Sequence, residues 1–127
     1  RKDMDTFVID GDGSVLMRMG ALATTGYYNP SNLLHIVLDN NTYDSTGGQT
    51  TVSSNVDFTG VSSACGYKYV YYAHNLDELK SYISEWKQKK GLTLIYIKIA
   101  KGSKKNLGRP NVTPEQVKDR LMGFIRR

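Results

Sequence analysis

The sequence predicts an α/β fold with a mainly parallel β-sheet and helices on both faces. Four short apolar runs, rich in β-branched and aromatic residues, alternate with stretches whose apolar residues recur at helical spacing. This alternation is typical of βαβ units, in which crossover helices cover both faces of a parallel sheet. The chain has 127 residues, of which 39% are hydrophobic and 23% are charged, so we expect one globular domain.

Turn and cap residues mark the predicted elements in the first half of the chain. Gly11 ends the first apolar run, and the helix that follows begins its first turn at Gly13. Asp57 suits the N-cap of a short helix, and Gly66 lies just past its end, where glycine commonly terminates helices. An Asn-, Ser-, Thr- and Gly-rich segment before Asp57 has a length typical of functional loops. The predicted elements are a strand at residues 6–10, a helix at 15–27, a strand at 33–38, a loop at 40–55 and a helix at 57–65.

The second half contains two well-marked helix starts. Asn75, with Glu78 three residues later, resembles a capping box. The segment 113–116 supplies an N-cap threonine, a proline at the first helical position and a glutamine at the third. Apolar faces are formed by Leu76, Leu79, Ile83 and Trp86 in the first of these helices and by Val117, Leu121, Phe124 and Ile125 in the second. The predicted strands are 67–73 and 92–100, and a basic loop covers 101–111.

The beginning of the chain predicts a domain that is part of a longer protein. Only a few residues precede the first predicted strand, and a buried parallel strand needs neighbours on both sides. We therefore expect residues 1–127 to be a single partial domain, incomplete at its N-terminal side. Cys65 is the one cysteine, and no apolar run reaches the roughly 18–20 residues of a membrane span, so a cytoplasmic location is expected.

Positive charge is concentrated in the C-terminal third of the chain. Residues 1–86 contain 5 basic and 10 acidic residues, whereas residues 87–127 contain 12 basic and 2 acidic residues. Such a block is compatible with a polyanionic partner. The basic residues lack interleaved aromatic residues and a nucleic-acid-binding motif, so we expect a small anionic ligand or a solvated face. Neither nucleic acid nor a membrane is an expected partner.

Two strand ends carry turns whose oxygen atoms favour a metal–phosphate site. The segment 11–14 (Gly-Asp-Gly-Ser) joins the first strand to a helix, so it presents a carboxylate beside a helix N-terminus that attracts anions. The segment 39–43 (Asp-Asn-Asn-Thr-Tyr) follows the second strand. Ligands of open parallel sheets bind at the carboxyl ends of strands, so Asp12 and Asn40 are predicted to lie around one metal ion. Mg²⁺ prefers such oxygen ligands and commonly bridges phosphates.

The GDG sequence at residues 11–13 and the NN pair at residues 40–41 together resemble the thiamin-diphosphate-binding motif of thiamin-dependent decarboxylases. The resemblance implies a thiamin-diphosphate-binding fold with thiamin diphosphate and Mg²⁺ as cofactors. The implied metal ligands are the side chains of Asp12 and Asn40 and the backbone carbonyl of Thr42. The implied diphosphate-binding residues are Gly11, Gly13 and Ser14, with Thr42 and Tyr43 closing over the group.

A narrower resemblance covers nearly the whole chain. The segments DNNTYDSTGGQ, from residue 39, and KGSKKNLGRP, from residue 101, are similar to those of phosphonopyruvate decarboxylases and of their relatives, the sulfopyruvate decarboxylases. The LGRP ending favours a phosphonopyruvate decarboxylase, which converts 3-phosphonopyruvate to phosphonoacetaldehyde and CO₂. In that family a pyrimidine-binding domain or subunit supplies the glutamate that activates the cofactor. The resemblance therefore implies that this chain alone is inactive. A homo-oligomer is a further expectation for the enzyme.

Several residues near these motifs are candidates for binding a small anionic 2-oxoacid substrate. Arg109 has the bidentate geometry that suits a phosphonate, and it lies in a loop with Lys101, Lys104 and Lys105. Thr46 and Gln49 lie in the glycine-flanked part of the loop at 40–55. The catalytic residue is not predicted within this chain, because the resemblance assigns the activating glutamate to the partner.

Some of the same residues also suit other functions, which we considered as alternatives. The chain could be the β part of a sulfopyruvate decarboxylase, or a basic anion-binding module without catalysis. Asp10 and Asp12 match the D-x-D of aspartyl-nucleophile phosphatases. Those enzymes also need a later acidic pair on a loop for the metal ion, whereas the acidic pair here, Asp77-Glu78, lies in a helix start. A calcium loop is excluded, because Val15 and Ala21 stand where glycine and glutamate are required.

Overall fold

The computed structural model describes residues 2–102, 104, 106–108 and 110–126. The strands are β1 (Thr6–Gly11), β2 (Leu33–Asp39), β3 (Thr42–Tyr43), β4 (Gln49–Thr50), β5 (Tyr69–Ala73) and β6 (Thr93–Lys98). The helices are α1 (Asp12–Met17), α2 (Gly20–Tyr28), α3 (Phe58–Ala64), α4 (Leu76–Lys89) and α5 (Pro114–Ile125). None of these helices combines the length and apolar character needed to cross a membrane.

Four strands form a parallel sheet in the order β1-β2-β6-β5. Gly11 pairs with Leu38, and Asp39 pairs with Lys98, so β1, β2 and β6 end along one edge of the sheet. The short strands β3 and β4 form a separate antiparallel hairpin after β2. The predicted mainly parallel sheet is confirmed, and its register places the ends of β1 and β2 side by side.

Helices cover both faces of the sheet, as predicted. On one face, Val15 of α1 and Phe58 of α3 belong to a buried cluster that includes Val37 of β2. On the other face, Trp86 of α4 packs in a second cluster with Ile36. The two neighbouring β2 residues point to opposite faces because side chains alternate along a strand. Each face of β2 is therefore covered, which explains its continuous apolar sequence.

The predicted helix caps are confirmed. Asp57 accepts a hydrogen bond from the Gly60 amide at the start of α3, and Asn75 accepts one from the Glu78 amide at the start of α4. At the start of α5, Thr113 and Gln116 form a reciprocal capping box. These contacts satisfy amide groups that lack partners in the first helical turn, and they fix where each helix begins.

Four predicted boundaries were wrong. The predicted helix at 15–27 is two helices, because the chain leaves helical geometry at Arg18 (φ −135°), just before Gly20, which has a low helix propensity. The predicted loop at 40–55 contains the β3–β4 hairpin and two short 3₁₀ turns. Strand β5 starts two residues later than predicted, and β6 covers the middle of its predicted range.

Candidate functional site

A cleft of about 400 Å³ lies at the carboxyl ends of β1 and β2. Its wall includes every residue predicted to bind the metal or the diphosphate, namely Gly11, Asp12, Gly13, Ser14, Asn40, Thr42 and Tyr43. The apolar side chains of Met17, Leu38 and Ile99 also line it. The parallel register thus brings together two segments that are distant in the sequence, as the strand-end argument predicted.

Asp12 is buried at the bottom of this arrangement, with 1% of its surface exposed. It is the first residue of α1, directly after β1, so the strand-to-helix turn fixes its position. Its Oδ2 atom accepts a hydrogen bond from Thr51 Oγ1. Within the described residues, no hydrogen bond involves Oδ1. A buried carboxylate with one oxygen bound to a neutral donor is suited to giving its second oxygen to a cation.

Asn40 and Thr42 offer two further oxygen atoms. Asn40 is held by its own loop, since its Nδ2 donates to Asp44 Oδ2 at 2.8 Å and its Oδ1 accepts from the Thr42 amide at 3.1 Å. The Thr51 amide donates to the Asn41 carbonyl, which makes Thr42–Thr50 the non-hydrogen-bonded pair of the hairpin. The Thr42 carbonyl therefore points away from β4 and is not used in the ladder.

Gly13 has no room for a larger residue. A Cβ atom at this position would collide with the ring of Tyr43, which lies against the first turn of α1. The absence of a side chain at Gly13 therefore lets Tyr43 cover one side of the cleft. This contact ties the segment after β1 to the segment after β2.

A chain of hydrogen bonds leads from the buried ring of His35 through the half-buried Asp10 to the exposed Ser14. Ser14 Oγ donates to Asp10 Oδ1 at 2.9 Å, and His35 Nε2 lies 3.1 Å from Asp10 Oδ2. His35 Nδ1 lies 3.1 Å from the Tyr67 hydroxyl. Burial lowers the pKa of His35, although the Asp10 carboxylate opposes this shift. A neutral ring fits these contacts, with Nε2–H donating to Asp10 and Nδ1 accepting from Tyr67. His35 is thus a core histidine with both ring nitrogens in hydrogen bonds.

Asp39 fixes the start of the loop that carries Asn40. Its Oδ1 accepts from the Asn41 amide and from Ser53 Oγ, and its Oδ2 accepts from the Tyr96 hydroxyl. Burial favours the neutral acid, but these hydrogen bonds and the nearby Lys98 outweigh it and lower the pKa of Asp39. Asp39 is therefore an ionised structural residue in this arrangement.

The oxygen donors at the cleft fit a hard divalent cation. The Asp12 carboxylate, the Asn40 amide oxygen and the Thr42 carbonyl are the ligand types that Mg²⁺ and Ca²⁺ accept, and none is a soft sulfur or nitrogen donor. Three protein ligands would leave the other coordination positions of an octahedral Mg²⁺ ion for phosphate oxygens or water. The oxygen donors therefore fit a phosphate-bearing group that is bound through a metal ion.

Residues 1–97 match the family model "Thiamine pyrophosphate enzyme, C-terminal TPP binding domain". The chain belongs to this family. Membership of this TPP-binding family implies thiamin diphosphate as the cofactor, as the sequence resemblance predicted. It also agrees with the parallel sheet and with a ligand cleft at the strand ends.

Among curated proteins, this TPP-binding domain is similar to two kinds of decarboxylase. It is 50% identical to phosphonopyruvate decarboxylase of Streptomyces viridochromogenes over 93% of the chain and 30% of the relative. It is 48% identical to phosphonopyruvate decarboxylase of Streptomyces hygroscopicus over 92% of the chain and 29% of the relative. It is 38% identical to sulfopyruvate decarboxylase subunit beta of Methanococcus maripaludis over 94% of the chain and 63% of the relative. The chain thus spans about 30% of the length of the phosphonopyruvate decarboxylases that it matches.

The predicted substrate residues are less closely tied to the cleft. Thr46 and Gln49 are exposed at the hairpin turn, where Gln49 Nε2 donates to the Thr46 carbonyl at 3.3 Å, and neither lines the cleft. Arg109 lies outside the described residues, as does Lys105. The basic segment does reach the cleft at its start, since the Gly102 amide donates to Asp44 Oδ2 at 2.9 Å.

Sequence reasoning missed Thr51 and Ser53. Both are buried in the TPP-binding domain, and their hydroxyls lie between Asp12 and Asp39. In the sequence they are two of many hydroxyl residues in a polar segment, with no periodicity that distinguishes them. Their position depends on how the β3–β4 hairpin folds back on β1, which is a tertiary contact that the sequence pattern does not carry.

Proposed function

We propose that this TPP-binding domain is part of a decarboxylase that converts 3-phosphonopyruvate to phosphonoacetaldehyde and CO₂. One observation carries the proposal. In a chain 50% identical to a phosphonopyruvate decarboxylase, Asp12, Asn40 and Thr42 line one cleft at the ends of adjacent strands. Sulfopyruvate is the second candidate substrate, because the chain is also 38% identical to a sulfopyruvate decarboxylase subunit beta.

The residues of the cleft have distinct proposed roles. Asp12, Asn40 and the Thr42 carbonyl hold Mg²⁺, for which their oxygen donors are suited. Gly11, Gly13 and Ser14 contact the diphosphate, and Thr42 and Tyr43 close over it. Three features support these roles. Asp12 is buried, the Thr42 carbonyl points away from β4, and Gly13 contacts the ring of Tyr43.

The proposed chemistry divides between the cofactor and the protein. When bound, thiamin diphosphate supplies the electron sink that decarboxylation of a 2-oxoacid needs. This chain anchors the diphosphate end, and Tyr43, Leu38 and Ile99 exclude water from part of the cleft. The basic segment after β6 supplies positive charge toward an anionic substrate, with Arg109 proposed for the phosphonate.

The proposal requires a partner for this domain. The glutamate that activates the cofactor is proposed to come from a pyrimidine-binding domain or subunit, and the enzyme is proposed to be a homo-oligomer. A relative named as a subunit beta supports the need for a second component. A cytoplasmic location is also proposed, and the single free Cys65 supports it because the chain has no second cysteine for a disulfide.

The substrate is tested with the full-length protein and any partner subunit. Phosphonopyruvate, sulfopyruvate and pyruvate are offered separately with thiamin diphosphate and Mg²⁺, and CO₂ release is measured. We expect rapid turnover of phosphonopyruvate alone. A preference for sulfopyruvate would reassign the substrate and keep the cofactor site, whereas turnover of none, without cofactor binding, would contradict the whole proposal.

The cofactor site is tested by Asp12→Ala in the same protein. Loss of this carboxylate is expected to abolish metal-dependent binding of thiamin diphosphate, measured by calorimetry with and without Mg²⁺. Asp77→Ala is the matched control, because its carboxylate is 95% exposed on α4. An anion-binding module without catalysis makes the opposite prediction: Asp12→Ala would leave anion affinity unchanged, and only lysine or arginine variants would weaken it.

A further inference from the structure

Thr51 is a buried hydroxyl residue that contacts a proposed metal ligand. It follows β4 and is 4% exposed, and its amide donates to the Asn41 carbonyl at 3.2 Å. Its Oγ1 lies 2.5 Å from Asp12 Oδ2, 3.1 Å from Ser53 Oγ and 3.2 Å from Asn41 Oδ1. The side chain thus sits where the β3–β4 hairpin meets the end of β1.

The single hydroxyl proton of Thr51 goes to Asp12. The Ser53 amide donates to Thr51 Oγ1 at 3.3 Å, so one lone pair of this oxygen is already used. Among the acceptors near Thr51 Oγ1, Asp12 Oδ2 is both the nearest and the carboxylate, and hydrogen bonds to charged acceptors are the stronger ones. Ser53 directs its own proton elsewhere, to Asp39 Oδ1 at 2.8 Å or Asn41 Oδ1 at 2.9 Å.

This donation fixes the orientation of the Asp12 carboxylate. With Oδ2 bound to Thr51, rotation about the side-chain torsion is restricted, and Oδ1 is the oxygen that remains for a ligand at the cleft. The β3–β4 hairpin, which Thr51 follows, also begins with Thr42, whose carbonyl is the third proposed metal ligand. Thr51 therefore connects the two segments that supply the metal ligands.

We propose that Thr51 is a positioning residue for the metal, holding Asp12 in the orientation that binds the cation. This inference rests on the proposed function, because it assigns the cation to Asp12. Groups that hydrogen-bond to a metal ligand orient it, and their loss typically weakens metal affinity about 10–100-fold. The inference adds a residue that orients one of the predicted metal ligands and does not itself bind the metal.

The test uses Mn²⁺ as the probe and measures binding without turnover. The full-length protein, with any partner subunit, is titrated with Mn²⁺ in the presence of thiamin diphosphate, and free Mn²⁺ is followed by electron paramagnetic resonance. Thr51→Val, which removes the hydroxyl and keeps the shape, is expected to weaken Mn²⁺ binding about 10–100-fold. Thr51→Ser, which retains the donor, is expected to bind Mn²⁺ nearly as the wild type does.

Thr50→Val is the matched control, because the same substitution falls on an exposed neighbouring residue of β4. Unchanged affinity in Thr51→Val, or equal losses in Thr51→Val and Thr51→Ser, would overturn the inference. If Thr51→Val does not fold, as judged by thermal unfolding without ligands, Thr51→Ala takes its place under the same expectation. A wild-type protein that binds no Mn²⁺ with thiamin diphosphate would contradict the proposed function itself, so the two failures are distinguishable.

Discussion

At the scale of single residues, buried hydrogen bonds determine which groups are free for a ligand. Asp39 uses both carboxylate oxygens to hold the start of the loop after β2. Among the described residues, Asp12 uses only Oδ2 in a hydrogen bond, and Asp12 lines the cleft. The two aspartates, both buried at a strand end, therefore have different capacities for binding a cation. Their hydrogen-bond partners, not their sequence neighbours, account for the difference.

His35 gives the folded protein a predictable response to acid. Burial lowers its pKa below the ordinary value of 6.5, so the unfolded chain takes up a proton at a higher pH than the folded one. The free energy of unfolding is therefore expected to fall as the pH drops below about 6.5, by at most about 1.4 kcal/mol per pH unit. His35→Gln is expected to reduce this slope, measured by urea unfolding between pH 5 and 7.5.

The control for this pH effect is His74→Gln, since His74 is exposed after β5. The unfolding of this variant is measured over the same pH range and compared with that of His35→Gln. A slope that persists in His35→Gln would assign the effect to another group and contradict this account of His35.

At the scale of secondary-structure elements, local signals were predictable and tertiary contacts were not. The caps at Asp57, Asn75 and Thr113 were predictable because each side chain bonds to the amide three residues later in the sequence. The alternating βαβ pattern likewise predicted the parallel sheet. The β3–β4 hairpin was missed because two-residue strands have no periodicity to detect. The hydrogen bond from Thr51 to Asp12 spans 39 positions and depends on that hairpin.

The packing of α2 on α3 provides a test of one close contact between elements. A Cβ atom at Gly26 would overlap the carbonyl of Cys65, which follows α3, so the two backbones approach directly. Gly26→Ala is expected to destabilise the protein by about 1–3 kcal/mol, because overpacking outweighs the gain of about 1 kcal/mol in helix propensity. The free energy of unfolding in urea measures this change.

Gly20→Ala is the control within the same helix. Among the described residues, no atom outside the adjoining residues and the backbone of its own helix lies within 4 Å of a Cβ built at Gly20, so the substitution is expected to be neutral or to stabilise by up to about 1 kcal/mol. Equal effects of the two substitutions would mean that the α2–α3 contact relaxes freely, contrary to the close approach in the structure.

At the scale of the whole molecule, the asymmetry of charge has a direction relative to the cleft. Residues 87–127 carry 12 basic and 2 acidic residues. Some of this charge, as at Lys87 near the end of α4, lies before β6 and thus at the opposite edge of the sheet. Lys101 follows β6. Its neighbour in the sequence Gly102 donates a hydrogen bond to Asp44, which lines the cleft, and Ile99, two residues before Lys101, lines the cleft itself. The position of each lysine along the fold therefore decides whether it acts on an anion in the cleft.

This asymmetry gives a prediction that rests on the proposed function. Lys101→Gln in the full-length enzyme is expected to raise KM for the anionic 2-oxoacid about two- to fivefold with kcat unchanged, since one exposed charge contributes at most about 1 kcal/mol. Lys87→Gln removes the same charge at the far edge and is expected to leave KM unchanged. Raising the salt concentration is expected to reduce the effect of Lys101→Gln, because the screening length falls to about 3 Å at 1 M ionic strength. Equal KM values for both variants at low salt would mean that net charge alone, and not the placement of Lys101 after β6, attracts the substrate.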